Sequence, residues 1–325
     1  MSRPSAGIGW LSPSRAWRLI ECPASVLPVA GTVSGGKGKP EVNTGILAHR
    51  ALERWIRSEG FRAADPKTAL AEATDACAAE LAGQPPAGWR VSRARLVARG
   101  MSLVDLIGGR APDQVHSEIE LKDEDLRLRG RPDLLLTGDE IVVVDLKTQT
   151  LREEELPAWV EFQLTVYAHL IRTVHGQLPT RAEVFSLNRG RREVVITDES
   201  LEATLVALAS ARTLDPSRAN PSPEVCRFCD RRLVCEPHWS AAAKWPDADA
   251  VTGTVERTEH AATGVVALLL TTANGRAWVS GIPGALASVG SGDTVRVARV
   301  SPVLAADESR SEWRWRNFSA MTLAN

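Results

Sequence analysis

Gly130-Arg-Pro-Asp133-Leu-Leu-Leu-Thr-Gly-Asp-Glu-Ile-Val-Val-Val-Asp145-Leu-Lys147 is the stretch from which the rest of the chain is read. Thr137 to Glu140 supplies turn residues between two apolar runs, which predicts a hairpin and brings Asp133 and Asp145 together from adjoining strands. Strand side chains alternate, so Asp145 and Lys147 share one face while Leu146 points into the core. Two carboxylates facing one another at the end of apolar strands repel unless a divalent cation lies between them. Hard oxygen ligands suit Mg²⁺ or Mn²⁺, which can bridge a scissile phosphate and activate a water. A nearby ammonium then stabilises the extra negative charge of the pentacovalent phosphate or steers the attacking water. Taken alone, the Asp-x-Lys triplet fits equally a surface hairpin whose Asp and Lys are merely solvated.

Outward from the hairpin, the pattern is strands flanked on both sides by helices. Upstream, Ser12 as cap and Pro13 at the first helical position open a short apolar helix that ends at Glu21-Cys22-Pro23. Gly31 to Pro40 reads as a mobile loop. From Thr44 the residues Ile46, Leu47, Ala51, Leu52, Trp55 and Ile56 recur at helical period, and alanine-rich helical patterns run through Pro66–Ala82 and Ser92–Ile107. Val115–Leu121, Leu126–Leu136 and Ile141–Leu146 then read as a meander of strands. Ala158–Val174 returns to helix, Arg181–Leu187 with Glu193–Ile196 forms a hairpin, and Glu199–Leu214 is helical again. The expected fold class is α/β.

Further residues then join the hairpin. Gly45-Ile-Leu-Ala-His49 lies on the helix from Thr44, and Gln163 and Tyr167 stand four apart on one helix face. This set, in this order, resembles the PD-(D/E)XK superfamily and within it the RecB-like exonucleases. Gly130 and Asp133 match that family's Gly-x-x-Asp, Asp145 and Lys147 its Asp/Glu-x-Lys, Gln163 and Tyr167 its Gln-x-x-x-Tyr, and Gly45 and His49 its early Gly-x-x-x-His. The resemblance covers roughly residues 10 to 240 and implies a restriction-endonuclease-like core. It also implies that His49, Asp133, Asp145 and the Leu146 carbonyl hold the metal. Lys147 would be catalytic, with Gln163 and Tyr167 positioning it and the DNA. Glu53 is a candidate to orient His49, or else a surface partner of Arg57. Glu118 is a candidate acidic residue ahead of the hairpin, or else part of a solvated strand face.

Cys226, Cys229 and Cys235 follow a two-then-five spacing, and Cys22 sits far upstream beside a proline. This combination resembles the four-cysteine iron–sulfur nucleases: the CRISPR-associated RecB-like exonucleases and the nuclease domain of AddB-type helicase–nucleases. The resemblance implies a [4Fe-4S] cluster on the four thiolates, clasping the two ends of the nuclease core. The competing reading is zinc, because His238 offers a local fourth ligand beside three cysteines. Cys77, inside an alanine-rich helix, reads as a small buried residue.

Two domains are expected, 1–240 for the nuclease and 246–325 for a strand-rich module. Val251–Thr258, Val265–Thr271, Arg276–Ile282, Asp293–Ser301 and Glu312–Thr322 are strand candidates, with a short helix at Pro283–Val289. Three strands, a helix and two strands resemble an OB-fold β-barrel, and such barrels grip single-stranded nucleic acid. Trp313-Arg314-Trp315-Arg316 alternates aromatic and basic residues, so Arg314 and Arg316 are candidate DNA contacts. The tryptophans either stack on bases or fill the barrel.

A formal net charge of −1 over 325 residues excludes nucleic-acid binding by bulk charge alone, though not a local basic groove. The longest apolar stretch, Val265–Leu270, falls short of the ~20 residues of a membrane span. With no signal-like N-terminus, a cytoplasmic protein is expected. Five cysteines are too few for a secreted disulfide framework. The expected activity is metal-dependent hydrolysis of DNA phosphodiesters at single-stranded ends, with protein partners in DNA repair, recombination or phage and CRISPR processing. A DNA-end-binding platform and a zinc-stapled accessory subunit are the competing functions.

Overall fold

The computed structural model describes residues 8–29, 43–81, 83–148, 156–227, 229–245, 249–303, 310–316 and 319–324. The Gly31–Pro40 loop lies outside them. The described residues divide into two compact units, one drawn from Ile8–Trp17 and Val42–Ala211, the other from Arg18–Glu41 and Arg212–Asn325.

The opening helices begin where local chemistry says they should. Helix α1 (Pro13–Glu21) follows Ser12, whose Oγ accepts from the Arg15 amide at 3.4 Å. Helix α2 (Thr44–Arg57) is capped by Asn43, which accepts from the Ile46 amide at 2.8 Å. Helix α3 (Pro66–Ala79) is capped by Asp65, which accepts from the amides of Lys67 and Thr68. The helix expected over Ser92–Ile107 is two, α4 (Trp89–Ala98) and α5 (Gly100–Ile107), divided where Gly100, a poor helix former, lies against Lys67 and Leu70 of α3.

The expected meander is also rearranged. The strands are β1 (Val115–His116), β2 (Leu121–Asp123), β3 (Leu128–Gly130), β4 (Leu134–Leu136) and β5 (Val142–Lys147). Strands β2 and β3 form a ribbon of their own, while β1 pairs with β4. Two local causes are visible. Glu118 takes a left-handed turn (φ 56°) between β1 and β2, and Pro132, lacking an amide donor, interrupts the run between β3 and β4. Helix α6 (Ala158–His175) then carries the chain to β6 (Arg181–Ser186), which runs parallel to β5. Strand β7 (Gly190–Val194) closes the order β1-β4-β5-β6-β7, and α7 (Asp198–Thr213) follows.

Val142, Val144 and Leu146 pack with Leu47, Trp55 and Leu103 in the core beneath α2–α5. Alternation therefore turns Asp145 and Lys147 to the other face of β5, as the sequence predicts.

In the second unit, α8 (Pro223–Arg227) and α9 (Glu236–Ala242) flank the last cysteines. Strands β8 (Ala250–His260), β9 (Val265–Thr272), β10 (Gly275–Pro283), β11 (Thr294–Ala298), β12 (Ser301–Val303), β13 (Arg310–Arg314) and β14 (Ala320–Leu323) follow. Their order is β12-β13-β10-β9-β8-β11-β14, in a curled half-barrel sheet. The helix expected at Pro283–Val289 is only a 3-10 turn, Gly284–Leu286. The Gly284 amide is tied to the Gly264 carbonyl at 3.0 Å, and a Cβ on Gly284 would stand 2.7 Å from that oxygen. The single strand expected over Glu312–Thr322 is two. Strand β13 lies parallel to β10 and β14 antiparallel to β11, in different parts of the sheet, so one straight segment cannot serve both partners. Among the described residues no helix is long and apolar enough to cross a membrane.

Gly130, just ahead of the acidic hairpin, sits where a Cβ would lie 2.8 Å from Tyr167 Cε1, 3.1 Å from Leu170 Cδ1 and 3.3 Å from Pro13 Cδ. Gly130→Ala is therefore predicted to destabilise the fold by ~1–3 kcal/mol through overpacking. Urea unfolding checks this, and an unchanged midpoint would mean that α6 has room to give.

Candidate metal centre

The antiparallel register of β4 and β5, with Leu134 opposite Val144, sets Asp133 across from Asp145. Both are buried, at 6% and 3% exposure. Asp133 Oδ2 accepts the Leu146 amide at 2.5 Å, and Asp133 Oδ1 is hydrogen-bonded to His49 Nδ1 from α2. The turn at Glu118 brings a third acid in: its amide donates to the Pro132 carbonyl at 3.1 Å, and the Ser117 hydroxyl donates to the Asp133 carbonyl at 2.8 Å. Donor atoms of His49, Glu118 and Asp133 all lie within 4.8 Å of one another, with Asp145 outside that triad. Glu53 pairs with Arg57 at 2.7 Å.

Lys147 Nζ stands 2.6 Å from Asp145 Oδ2, an ion pair, although that buried oxygen has no well-aligned hydrogen-bond donor. The ammonium also donates to Gln163 Oε1 at 3.0 Å and lies 4.7 Å from the centre of the Trp159 ring. Tyr167 OH donates to the Arg131 carbonyl at 2.9 Å and so holds the backbone just ahead of Pro132 and Asp133. Trp159, absent from the residues singled out above, does carry a local signal, since Trp159, Gln163 and Tyr167 step along α6 in fours. The buried pair of His169 with Asp123, 2.5 Å apart, ties α6 to β2 and has no local signal.

The electrostatics fit a site built for a cation. Burial, then the charge of Asp133, pushes Glu118 up to about 7. Burial raises Asp145 to about 6, with Lys147 opposing and Asp133 adding to the rise. At His49, burial pulls downward but is outweighed by the charge and hydrogen bond of Asp133, so its pKa is raised. Tyr167 is held well above its ordinary value, first by burial and then by Asp145 and Asp133, and so remains a donor. Crowded carboxylates of raised pKa and an under-coordinated buried oxygen are what a divalent cation would relieve.

Residues 10–236 match the family model of the PD-(D/E)XK nuclease superfamily. The chain belongs to that superfamily. PD-(D/E)XK nucleases use divalent metals and act on DNA, and the His49–Glu118–Asp133 cluster fits metal binding. Among solved structures, a candidate exonuclease from Eubacterium rectale is similar at 14% identity and a TM-score of 0.40, over 68% of this chain and 86% of that one. The protein SSO0001 is similar at 18% identity and a TM-score of 0.31, over 63% and 90%. At such scores these likenesses add nothing to the family match. No curated protein matches the sequence.

In the other unit, Cys22, Cys226, Cys229, Cys235 and His238 line one small hollow. Burial pushes the Cys226 thiol up to about 12 and raises those of Cys229 and Cys235. Burial, followed by the charge of Arg232, presses His238 down to about 4. Among the described residues no three of these donor atoms lie within 4.8 Å of one another, so the cysteines share the hollow without closing a ligand set. Cys77 is buried in α3 among core residues. In the C-terminal sheet, Trp313 and Trp315 are half-buried against its core, and Arg314 and Arg316 are exposed, with Arg316 Nε 3.0 Å from Ser301 Oγ.

Glu118 and Asp145 are acids whose folded pKa values, about 7 and about 6, exceed the ordinary 4.5 and 3.8. Their contribution to stability is thus fully present below about pH 4 and is lost as pH rises from there through about 6 to 7. The raised pKa of His49 has the same sign, its contribution being lost as pH rises above 6.5 through its folded value. Metal-free protein is predicted to lose Tm between about pH 4 and 7, the interval between the ordinary and the folded values of the two acids. Saturating Mn²⁺ should abolish the loss and Glu118→Gln should reduce it. A Glu118→Gln profile parallel to the parent's would sink this account.

Proposed function

We propose that the chain is a divalent-metal-dependent deoxyribonuclease of the RecB-like kind, acting as an exonuclease on single-stranded ends. The observation that carries the nuclease chemistry is the buried Asp133–Asp145 pair with the Lys147 ammonium at 2.6 Å from Asp145, beside the His49–Glu118–Asp133 triad. His49, Asp133, Asp145 and the Leu146 carbonyl would hold Mg²⁺ or Mn²⁺, with Glu118 added to the set. The bound metal would supply an activated water and charge neutralisation at the scissile phosphate. Lys147 stabilises negative charge developing on the phosphate, Gln163 holds that ammonium in place, and Tyr167 fixes the turn that presents Asp133.

The proposal includes a [4Fe-4S] cluster on Cys22, Cys226, Cys229 and Cys235, supported by their shared hollow and by the resemblance to the four-cysteine nucleases. Because His238 lines the same hollow, a zinc site on three cysteines and His238, in an accessory subunit of a recombination, phage or CRISPR complex, is the second reading. It also includes a division into domains at 1–240 and 246–325, which limited proteolysis tests. The C-terminal module would be OB-like and grip single-stranded DNA through the exposed Arg314 and Arg316.

On end-labelled single strands with Mg²⁺ or Mn²⁺, Asp145→Asn and Lys147→Ala are each predicted to cut the rate by at least ~10²–10³-fold with the fold intact, and EDTA to stop the parent. Activity retained in Asp145→Asn would overturn the site, while cleavage of circular single strands would overturn only the end preference. Arg314→Ala with Arg316→Ala should weaken single-strand binding and lower its salt dependence, by ~0.7 in log–log slope for each phosphate no longer neutralised, without altering the chemistry. An unchanged slope would place the DNA grip elsewhere.

A further inference from the structure

His238 is 1% exposed, and both of its ring nitrogens are buried with no hydrogen-bond partner. A neutral imidazole carries one N–H donor and one lone-pair acceptor, and burying both unanswered is disfavoured. A phenylalanine would fill this space without that cost. None of the neighbours answers the ring: even the Asp249 carboxylate, near enough for its charge to act on the imidazole, makes no hydrogen bond to it and is held by Arg232. Trp239 and Trp245 meet it edge-on, with centroids 4.9 and 5.5 Å away, and an indole offers no acceptor. Trp239 also spends its one N–H on the Leu233 carbonyl at 3.2 Å. Arg232 has no acceptor either, and its terminal nitrogens are committed to Asp249 and to the carbonyls of Cys226 and Arg227. What remains beside the ring is the cysteine hollow, whose other walls include Ala24, Pro221 and Val225. Ser25, also in that lining, gives its hydroxyl to the Arg18 carbonyl at 3.1 Å.

We propose that His238 is a fifth protein donor to the group in this hollow: four thiolates ligate an iron–sulfur cluster, and the His238 N–H donates a hydrogen bond to one of its sulfurs. This rests on the iron–sulfur reading given above. Spacing favours a hydrogen bond over direct ligation of a single ion. Bonds of ~2.0 Å to nitrogen and ~2.3 Å to sulfur would set the donors of a tetrahedral zinc under ~4 Å apart. Among the described residues, no three donor atoms of this hollow come within 4.8 Å of one another. A hydrogen bond to a cluster sulfur stabilises the reduced, more negative state and raises the reduction potential. His238 is thus a positioning and tuning residue, and its effect is read on the cluster rather than on cleavage.

The test uses the full chain purified without oxygen, comparing the parent with His238→Phe, which keeps a ring but no donor, and His238→Gln, which keeps an N–H. Iron content, the visible spectrum and the midpoint potential under dithionite titration are measured for each. The expected result is iron in all three, a more negative midpoint in His238→Phe, and at least partial recovery in His238→Gln. Equal midpoints in all three would overturn the proposal. Should His238→Phe not fold, the parent carrying ¹⁵N-histidine decides by pulsed EPR of the reduced cluster: a weak nitrogen coupling supports the hydrogen bond. No coupling, or the strong coupling of a direct ligand, overturns it. A parent that holds zinc and no iron sinks the iron–sulfur reading itself. In that case, loss of zinc in His238→Gln with retention in Cys22→Ser makes His238 a ligand of a single ion.

Discussion

Two carboxylates held side by side in a buried place are the constraint around which the first unit is arranged. Asp133 and Asp145 face each other because β4 and β5 pair with Leu134 opposite Val144, and their repulsion is strengthened by the low dielectric that burial creates. Such a pair persists only if cationic or donor groups surround it. The chain supplies them from separate elements: His49 from α2, the Leu146 amide from β5 and the Lys147 ammonium from the end of that strand. Helix α6 closes the far side, with Gln163 on the lysine and Tyr167 on the Arg131 carbonyl. The scaffold is therefore what keeps an electrostatically costly arrangement ready for a cation, in keeping with PD-(D/E)XK membership.

The second unit repeats the theme with softer donors. Cys22, Cys226, Cys229, Cys235 and His238 border one hollow, and the chain around the last cysteines is fastened to the C-terminal strands by buried or shielded arginines. Arg232, 2% exposed, spans from the Cys226 carbonyl to Asp249 at the start of β8. Arg296 of β11 reaches Glu236 of α9 at 2.5 Å and lies over Trp239, and Arg299 reaches Asp230 at 3.0 Å. These contacts tie the backbone around the hollow to the strands of the sheet.

How much of this was legible without coordinates depended on the range over which each interaction acts. The acidic hairpin, the alternation of Asp145, Leu146 and Lys147, the capped starts of α1, α2 and α3, and the Gln163–Tyr167 step are written in neighbouring residues. Polar turns, caps and periodicity of 2 or 3.6 act within a few positions, so neighbouring residues suffice to specify these elements and to place Asp133, Asp145 and Lys147 on one hairpin. The tertiary structure alone decided which strands pair. The expected meander became a separate β2–β3 ribbon beside a sheet in which β1 crosses to β4, and the last expected strand was divided between β10 and β11. Competing strand edges offer the same backbone hydrogen bonds, and the choice among them is made by side-chain burial over the whole core. The same reason hid the Asp123–His169 pair, 46 residues apart in sequence, and the unanswered nitrogens of His238, and it left Glu118 open between a site acid and a solvated strand face until a left-handed turn carried it into the triad. Whether a polar atom is satisfied depends on everything packed around it, and only the folded chain defines that surrounding.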